Sequence, residues 1–378
     1  MSIKKILPRD VCCAFTRYAG IAAVTLLAVI PSAPSRAADV DKPSGKRALH
    51  ADHAGEFVDF AQWREVSDFI DRMVTQHAFV RSDLEKVFRQ TRYVENSKQL
   101  IKPAPAGKPK NWRAYRARFV DPVRINGGVQ FWQDNADALA HAESQFGVPA
   151  EIIVAIIGVE TVYGRNTGNF RVMDAITTLA FDYPDTPTRA ARMEFFRGEL
   201  ENTLLFARES RIDPFSLLGS YAGAIGLPQF MPGSIRRFAV DFNGDGAIDL
   251  RGSPADAIGS VANFLVKHGW RTGEPTVFPA LVSAGDGGGA RAWDAFIGQP
   301  LEAKFTVAEL KAGGVMPVTP LPVDMLFGLI DLQNGTEAPE FWLGASNFYA
   351  ITQYNRSFFY AMSVVDLARA IRTAHGGN

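Results

Sequence analysis

The chain has 378 residues, of which 47% are hydrophobic and 21% charged, proportions that fit a soluble globular protein and exclude a disordered or polytopic membrane chain. Lysine plus arginine equals aspartate plus glutamate at 40 each, so no overall field directs the protein to nucleic acid, and a neutral or weakly charged partner is expected. At roughly 100 to 200 residues per domain the length predicts two or three domains, and the 27 phenylalanines predict an aromatic-rich core.

Lys4, Lys5, Arg9 and Arg17 precede an apolar stretch from Ala19 to Ile30, which is followed by Pro31, Pro34, Ser35 and Ala37. Such a segment reads as a secretory signal peptide over residues 1–37, because its apolar part is too short for a bilayer core of roughly 30 Å. An uncleaved membrane anchor is the alternative. Cleavage near Ala37 leaves 35 basic against 39 acidic residues and removes both cysteines, Cys12 and Cys13, so the mature chain has no disulfide and no thiolate metal site. No cysteine follows the apolar stretch, so no lipoprotein is expected. The product is expected to be exported and soluble, and periplasmic where the cell has an outer membrane.

Residues 38–54 are polar, lack periodicity and read as a flexible lead. Phe57, Phe60, Trp63, Val66, Ile70, Met73 and Val74 then recur at helical spacing, and Ser82 with Glu85 predicts a capping box opening a second helix. The Lys102–Lys110 segment carries three prolines and three lysines and predicts a loop. Helical signals resume at Trp112 and run from Val129 to Phe146, where Gly147 ends them. Pro149 is expected as a first helical residue, ahead of the unbroken apolar run Ile152 to Val159. Arg189–Glu209 predicts an amphipathic helix, and Ser253, Pro254 and Asp256 predict the capped start of another, through His268. Residues 276–322 turn to Val, Phe, Thr, Gly and Pro, with a strand at Thr276 to Val282, and predict a small β-rich insertion. Helical spacing returns at Ser363 to Ile371.

Glu160 ends the apolar run, where desolvation would raise its pKa and keep it protonated near neutrality, the state of a general acid. A glutamate reaching solvent, or paired with Arg165, is the plain alternative. The glycine- and proline-rich segment Gly219 to Pro232 lets a ligand approach the backbone, and Ser220 and Gln229 are its side chains fit to hold a neutral polar substrate. A tight connection between helices explains the segment equally well. Asp241, Asn243 and Asp245 with Gly246 match the first half of a calcium loop, with the Ala247 carbonyl as a further donor. Gly252 stands where a bidentate acid is expected, and Asp256 is the next carboxylate, which also suits a capping box; a metal-free turn is the alternative. The Gly285–Ala290 run reads as a flexible loop and not a phosphate site, and no histidine pair has catalytic zinc spacing. Tyr354, Asn355 and Tyr360 suit a core or a carbohydrate surface.

Together GVPAEIIVAIIGVETVYGRNTG, SYAGAIGLPQFMP, DFNGDGAIDL, DAIGSVANFLVKHGW and NFYAITQYNRSFFYAM resemble the lytic murein transglycosylase B family, in the same order from about Phe57 to Ala370. The resemblance implies a mainly α (α+β) fold: a helical domain at 55–146, a lysozyme-like core at 147–275 with the calcium loop, the β-rich subdomain at 276–322, and a return to core and helical domain at 323–378. It implies Glu160 as the sole catalytic acid and base, with Ser220, Gln229, Tyr354, Asn355 and Tyr360 in the cleft, Tyr115 as an aromatic substrate contact and Arg192 toward the peptide stem. It implies one structural calcium at Asp241, Asn243, Asp245, Ala247 and Asp256, and no cofactor in the reaction. Phe195 and Phe264 stand where the family often has tyrosine, and the calcium loop is one residue longer before Asp256.

With one carboxyl, the implied reaction is non-hydrolytic cleavage of the bond between N-acetylmuramic acid and N-acetylglucosamine, leaving 1,6-anhydro ends. The alternatives are a hydrolytic muramidase using Asp182 or another carboxylate with water, and a non-catalytic murein-binding scaffold. The expected partners are peptidoglycan glycan strands, with murein synthases or other cell-wall enzymes beside them, no nucleic acid, and a monomeric chain.

Overall fold

The structure is a computed structural model and describes residues 58–103, 107, 109–283, 291–297 and 301–376. The expected signal peptide, the polar lead at 38–54 and the Gly285–Ala290 run lie outside these residues.

A short 3-10 turn leads into α1 (Arg64–His77), whose Val66, Phe69, Ile70 and Met73 fall on one buried face. The capping box expected at Ser82 does not form. Helix α2 (Arg81–Gln90) is already helical at Arg81, with Val80 as its extended N-cap and no side-chain cap, so Ser82 lies inside the first turn. After α3 (Glu95–Leu100) the described part of the proline–lysine segment is irregular, as predicted, up to α4 (Trp112–Arg116), where Asn111 Oδ1 accepts from the Ala114 amide at 2.9 Å. The single helix expected over 129–146 is two helices, α5 (Pro122–Asp134) and α6 (Ala136–Phe146). Asn135 divides them: its backbone leaves the helical region and its side-chain amide donates to the Phe131 carbonyl at 2.8 Å. Gly147, at φ 66°, ends α6.

Helix α7 (Ala150–Thr161) begins after Pro149, which is its N-cap and not its first residue, and every residue in it is buried apart from Glu151 and Glu160. Strand β1 (Phe170–Arg171) leads into α8 (Val172–Phe181), which is buried throughout and has no polar face to mark it in the sequence. Helix α9 (Arg189–Glu209) has the expected bounds. Strand β2 (Leu218–Gly219) pairs antiparallel with β1, and the chain passes through α10 (Pro232–Phe238) to α11 (Pro254–Lys267), where Ser253 Oγ accepts from the Asp256 amide at 3.2 Å.

The β-rich region is larger than expected. Residues 276–322 hold β3 (Val277–Val282), α12 (Val307–Ala312) and β4 (Val315–Pro317), but β5 (Gly328–Asn334) and β6 (Glu337–Gly344) lie in the stretch assigned to the return to the core. The four strands form one antiparallel sheet in the order β4-β3-β6-β5. Because successive side chains alternate, the pair Leu329 and Leu343 enters the sheet's own small core with Trp293, Val315 and Phe327, while Ile330, opposite Trp342, and Leu332 pack into the main core. The sheet thereby joins the helical body. Helices α13 (Ser346–Thr352) and α14 (Phe358–His375) complete the chain, α14 lying against α4, α5 and α7. Among the described residues no single helix is long and apolar enough to cross a membrane.

Candidate active site

Glu160 is the next-to-last residue of α7, and the chain beyond it turns abruptly: Val162, Tyr163 and Gly164 all have positive φ, at 51°, 57° and 88°. A β-branched residue in that region is strained, and two neighbours hold it there. The Tyr163 hydroxyl donates to the Arg124 carbonyl at 2.7 Å, its ring lying so close to Gly158 that a Cβ there would stand 2.4 Å from the hydroxyl oxygen. Thr161 Oγ1 donates to the Leu227 carbonyl at 2.9 Å and accepts from the Gly164 amide at 3.0 Å. One hydroxyl thus fastens the turn after Glu160 to the Gly219–Pro232 loop.

The Glu160 carboxyl is desolvated, which pushes its pKa up to about 7 against the hydrogen bond from Tyr360, which pulls it down. That bond runs from the Tyr360 hydroxyl to Oε1 at 2.6 Å. Tyr360 comes from the first turn of α14, held by Ser357 at the N-cap, and burial followed by the neighbouring Glu160 charge raises its own pKa well above the ordinary value. Tyr354 stacks on Tyr360 with ring planes 15° apart and donates to the Pro228 carbonyl at 2.7 Å. Tyr115, on α4, stands on the rings of Phe119 and Phe359; its hydroxyl is buried without a hydrogen-bond partner among the described residues, and its pKa is pushed up to about 12 by burial, opposed by Arg118 and reinforced by Glu160. No bond joins Glu160 to Arg165, and among the described residues no second carboxylate shifts its proton affinity.

The loop residues bond to the backbone of the loop and of Thr167. Ser220 is buried and its Oγ accepts from the Ala224 amide at 3.0 Å, while Gln229, at φ 51°, donates its side-chain amide to Gly226 at 2.9 Å and to Thr167 at 3.3 Å. Both shape the loop, whose Leu227 and Pro228 carbonyls are the ones tied to Thr161 and Tyr354. Asn355 is buried just before α14 and its carbonyl accepts from the Ser357 amide at 2.6 Å. Arg192 lies over the rings of Phe195, Phe196 and Tyr183. Thr161 and Tyr163 are the residues that sequence reasoning missed; the only signal was their place directly after the carboxylate.

Asp182, the second carboxylate of the hydrolytic alternative, is bound to Lys98 at 2.7 Å, Tyr93 at 2.8 Å and Arg189 at 3.4 Å. Burial raises its pKa, but these partners outweigh it and the net shift is downward. Such a group is a fixed anion.

Asp241, Asn243 and Asp245 are drawn together by bonds to the Gly244, Asp245, Gly246 and Ala247 amides. Asp256 is fully buried: Oδ1 accepts from the Phe242 and Asn243 amides and Oδ2 from that of Asp249. It does not reach back to cap its own helix, and among the described residues no group of three His, Cys, Asp or Glu is arranged to hold a metal.

A family model for the transglycosylase SLT domain matches residues 60–369. Membrane-bound lytic murein transglycosylase B of Escherichia coli strain K12 is 41% identical over 325 residues, covering 84% of this chain and 85% of that protein. The crystal structure of soluble lytic transglycosylase SltB1 from Pseudomonas aeruginosa is similar, with a TM-score of 0.74 at 44% identity over 83% of this chain and all of that one. So is the Escherichia coli lytic transglycosylase Slt35 in complex with calcium, with a TM-score of 0.73 at 40% identity over 86% of this chain and 98% of that one.

Proposed function

The chain belongs to the lytic murein transglycosylase B family and is a peptidoglycan lytic transglycosylase, and from that premise we propose that Glu160 alone serves as its acid and then its base. Protonated Glu160 gives its proton to the glycosidic oxygen between N-acetylmuramic acid and N-acetylglucosamine, and the bond to the muramyl anomeric carbon breaks with the electron pair leaving on that oxygen. The resulting carboxylate takes the proton of the same sugar's 6-hydroxyl while its oxygen bonds to the anomeric carbon. Glu160 ends protonated, as it began, and water is not consumed. Holding the nucleophile in the reacting sugar supplies a high effective concentration, whereas a hydrolase needs a second carboxylate.

The observation that carries this reading is a desolvated carboxyl poised at about 7 and bonded to Tyr360, with no second carboxylate among the described residues acting on it. Tyr360 holds Oε1 and leaves the other oxygen to the substrate. Tyr115, whose buried hydroxyl lacks a partner among the described residues, supports an aromatic and polar contact to the sugar. Ser220 and Gln229 act through the loop they shape, and Tyr354 and Asn355 frame it. We assign Arg192 to the peptide stem only by the family pattern.

A calcium ion at Asp241, Asn243, Asp245 and the Ala247 carbonyl would stabilise the loop into α11, with Asp256 as its internal scaffold, and would take no part in the proton transfers. Residues 1–37 direct export, so the enzyme meets murein outside the cytoplasmic membrane. Digestion of purified sacculi tests the reaction: muramyl ends lighter by one water support it, and reducing ends replace it with hydrolysis.

A further inference from the structure

A cavity of about 730 Å³ lies among the end of α9, the 3-10 turn before β2, α10 and residues 246–251 of the calcium loop. None of Glu160, Tyr115, Gln229, Tyr354 or Tyr360 lines it, so it is not the glycan cleft. Its body is apolar, formed by Phe206, Leu217, Ile225, Ile235 and Leu250. Its charges are unbalanced. Three arginines line it against two acids: Glu209 pairs with the Nε and one terminal nitrogen of Arg236 at 3.0 and 2.8 Å, and Asp249 accepts the Arg251 and Gly252 amides through Oδ1. Two further guanidinium groups have no carboxylate partner among the described residues. Arg251 is held by the neutral oxygens of Gly168, Leu218 and Asn169, and the Arg211 side chain makes no bond among the described residues.

We propose that this cavity binds a small amphipathic carboxylate, its apolar body against Phe206, Leu217 and Ile235 and its head on Arg211 and Arg251. The size is that of a small-molecule site, and Arg211 and Arg251, both exposed on its lining, offer planar donor forks that match a carboxylate. The ligand also meets the substrate loop from a second side. Ile225 is bridged to Gly219 and Phe230, and the Leu250 carbonyl accepts from the Leu227 amide at 2.8 Å, so an occupant braces the segment that Thr161 and Tyr354 hold at the cleft.

Octanoate and octanol, titrated calorimetrically into the exported chain, test this. Octanoate is expected to fill one saturable site per chain, with octanol at least about tenfold weaker because it lacks the charge-assisted bonds. Arg211→Gln is expected to weaken octanoate about tenfold with no change in Tm, since its side chain has no bond among the described residues to lose. Ala239→Phe fills the cavity and is expected to abolish binding, whereas Glu160→Gln leaves it intact. Competition by N-acetyl-leucyl-leucine, absent with its amide, would identify a peptide carboxylate as the natural source, and its failure an acyl chain. Equal binding of octanoate and octanol, or octanoate binding unchanged in both Arg211→Gln and Ala239→Phe, would overturn the proposal without bearing on cleavage.

Discussion

A carboxyl at the end of a buried helix carries two consequences that oppose each other, and both are measurable at Glu160. Burial holds its pKa near 7 instead of the ordinary 4.5, so the acid form is available at the pH where cell walls are remodelled. Because the first step needs the proton, the rate is expected to fall as pH rises through about 7. The Tyr360 hydrogen bond lowers that value, so Tyr360→Phe is expected to move the alkaline limb upward in pH while reducing the maximum rate through looser placement of the carboxyl. A limb that moved to lower pH would contradict this account of Tyr360.

The same shift has a sign in stability. A carboxyl whose folded pKa is raised favours the native state below the unfolded value and loses that contribution as pH rises from 4.5 toward 7. Glu160→Gln is therefore expected to melt above the wild type at pH 8, by no more than about 3 kcal/mol since the site is partly open to solvent, and to lose the advantage at pH 4. Its cleavage should fall roughly 100-fold to 10,000-fold, the range for removal of a general acid or base. Thermal melts at the two pH values, beside initial rates on sacculi, separate the two effects.

At the scale of elements, the turn after α7 and the loop into α11 are each organised around one buried oxygen set. Gly158→Ala would drive a methyl group to 2.4 Å from the Tyr163 hydroxyl and is expected to cost about 1–3 kcal/mol and to slow cleavage, because Tyr163 fixes the turn that presents Glu160. Asp256→Asn leaves backbone amides of Phe242, Asn243 and Asp249 without full acceptors and is expected to cost about 1–3 kcal/mol with or without calcium. Calcium itself, at 100 times its dissociation constant, would add about 2.7 kcal/mol. Urea unfolding of both chains in chelator and in excess calcium checks these values, and an Asp256→Asn penalty seen only with calcium would return Asp256 to the ligand set.

The sequence was legible wherever local chemistry acted alone. Gly147 as a helix stop, the amphipathic α9 and the Ser253 cap follow from propensity and hydrogen-bond geometry within a few residues. It was illegible where tertiary contacts decide. Helix α8 has no exposed face and hence no period, and Ser82 lost the cap because the chain became helical one residue before it. Strands β5 and β6 carry a local signal: the paired Asn334 and Glu337 are joined by the two-residue loop Gly335 and Thr336, with Gly335 at φ 66° in its first position. The position of Glu160 could be read from its apolar run. That Thr161 and Tyr163 brace it could not, since their partners, Leu227 and Arg124, lie far away in sequence.

For the whole molecule, the site is assembled where distant stretches meet. Tyr115 comes from α4, Glu160 from α7, Tyr360 from α14, and the sheet steadies α4 because Asn334 Oδ1 accepts from the Arg113 amide at 3.0 Å and the Gly335 amide donates to the Lys110 carbonyl at 2.8 Å. A β-rich unit remote in sequence thus helps hold the helix that carries Tyr115. Asn334→Ala is expected to raise KM for glycan more than it lowers kcat, while Glu160→Gln does the reverse.

The central claim is that one carboxyl, acting twice, closes the muramyl sugar on itself. Mass analysis of sacculi digested in water enriched in oxygen-18 tests it most directly. The account predicts muramyl ends lighter by one water and free of the label, with roughly 100-fold to 10,000-fold fewer formed by Glu160→Gln. Reducing ends carrying the heavy oxygen would contradict it.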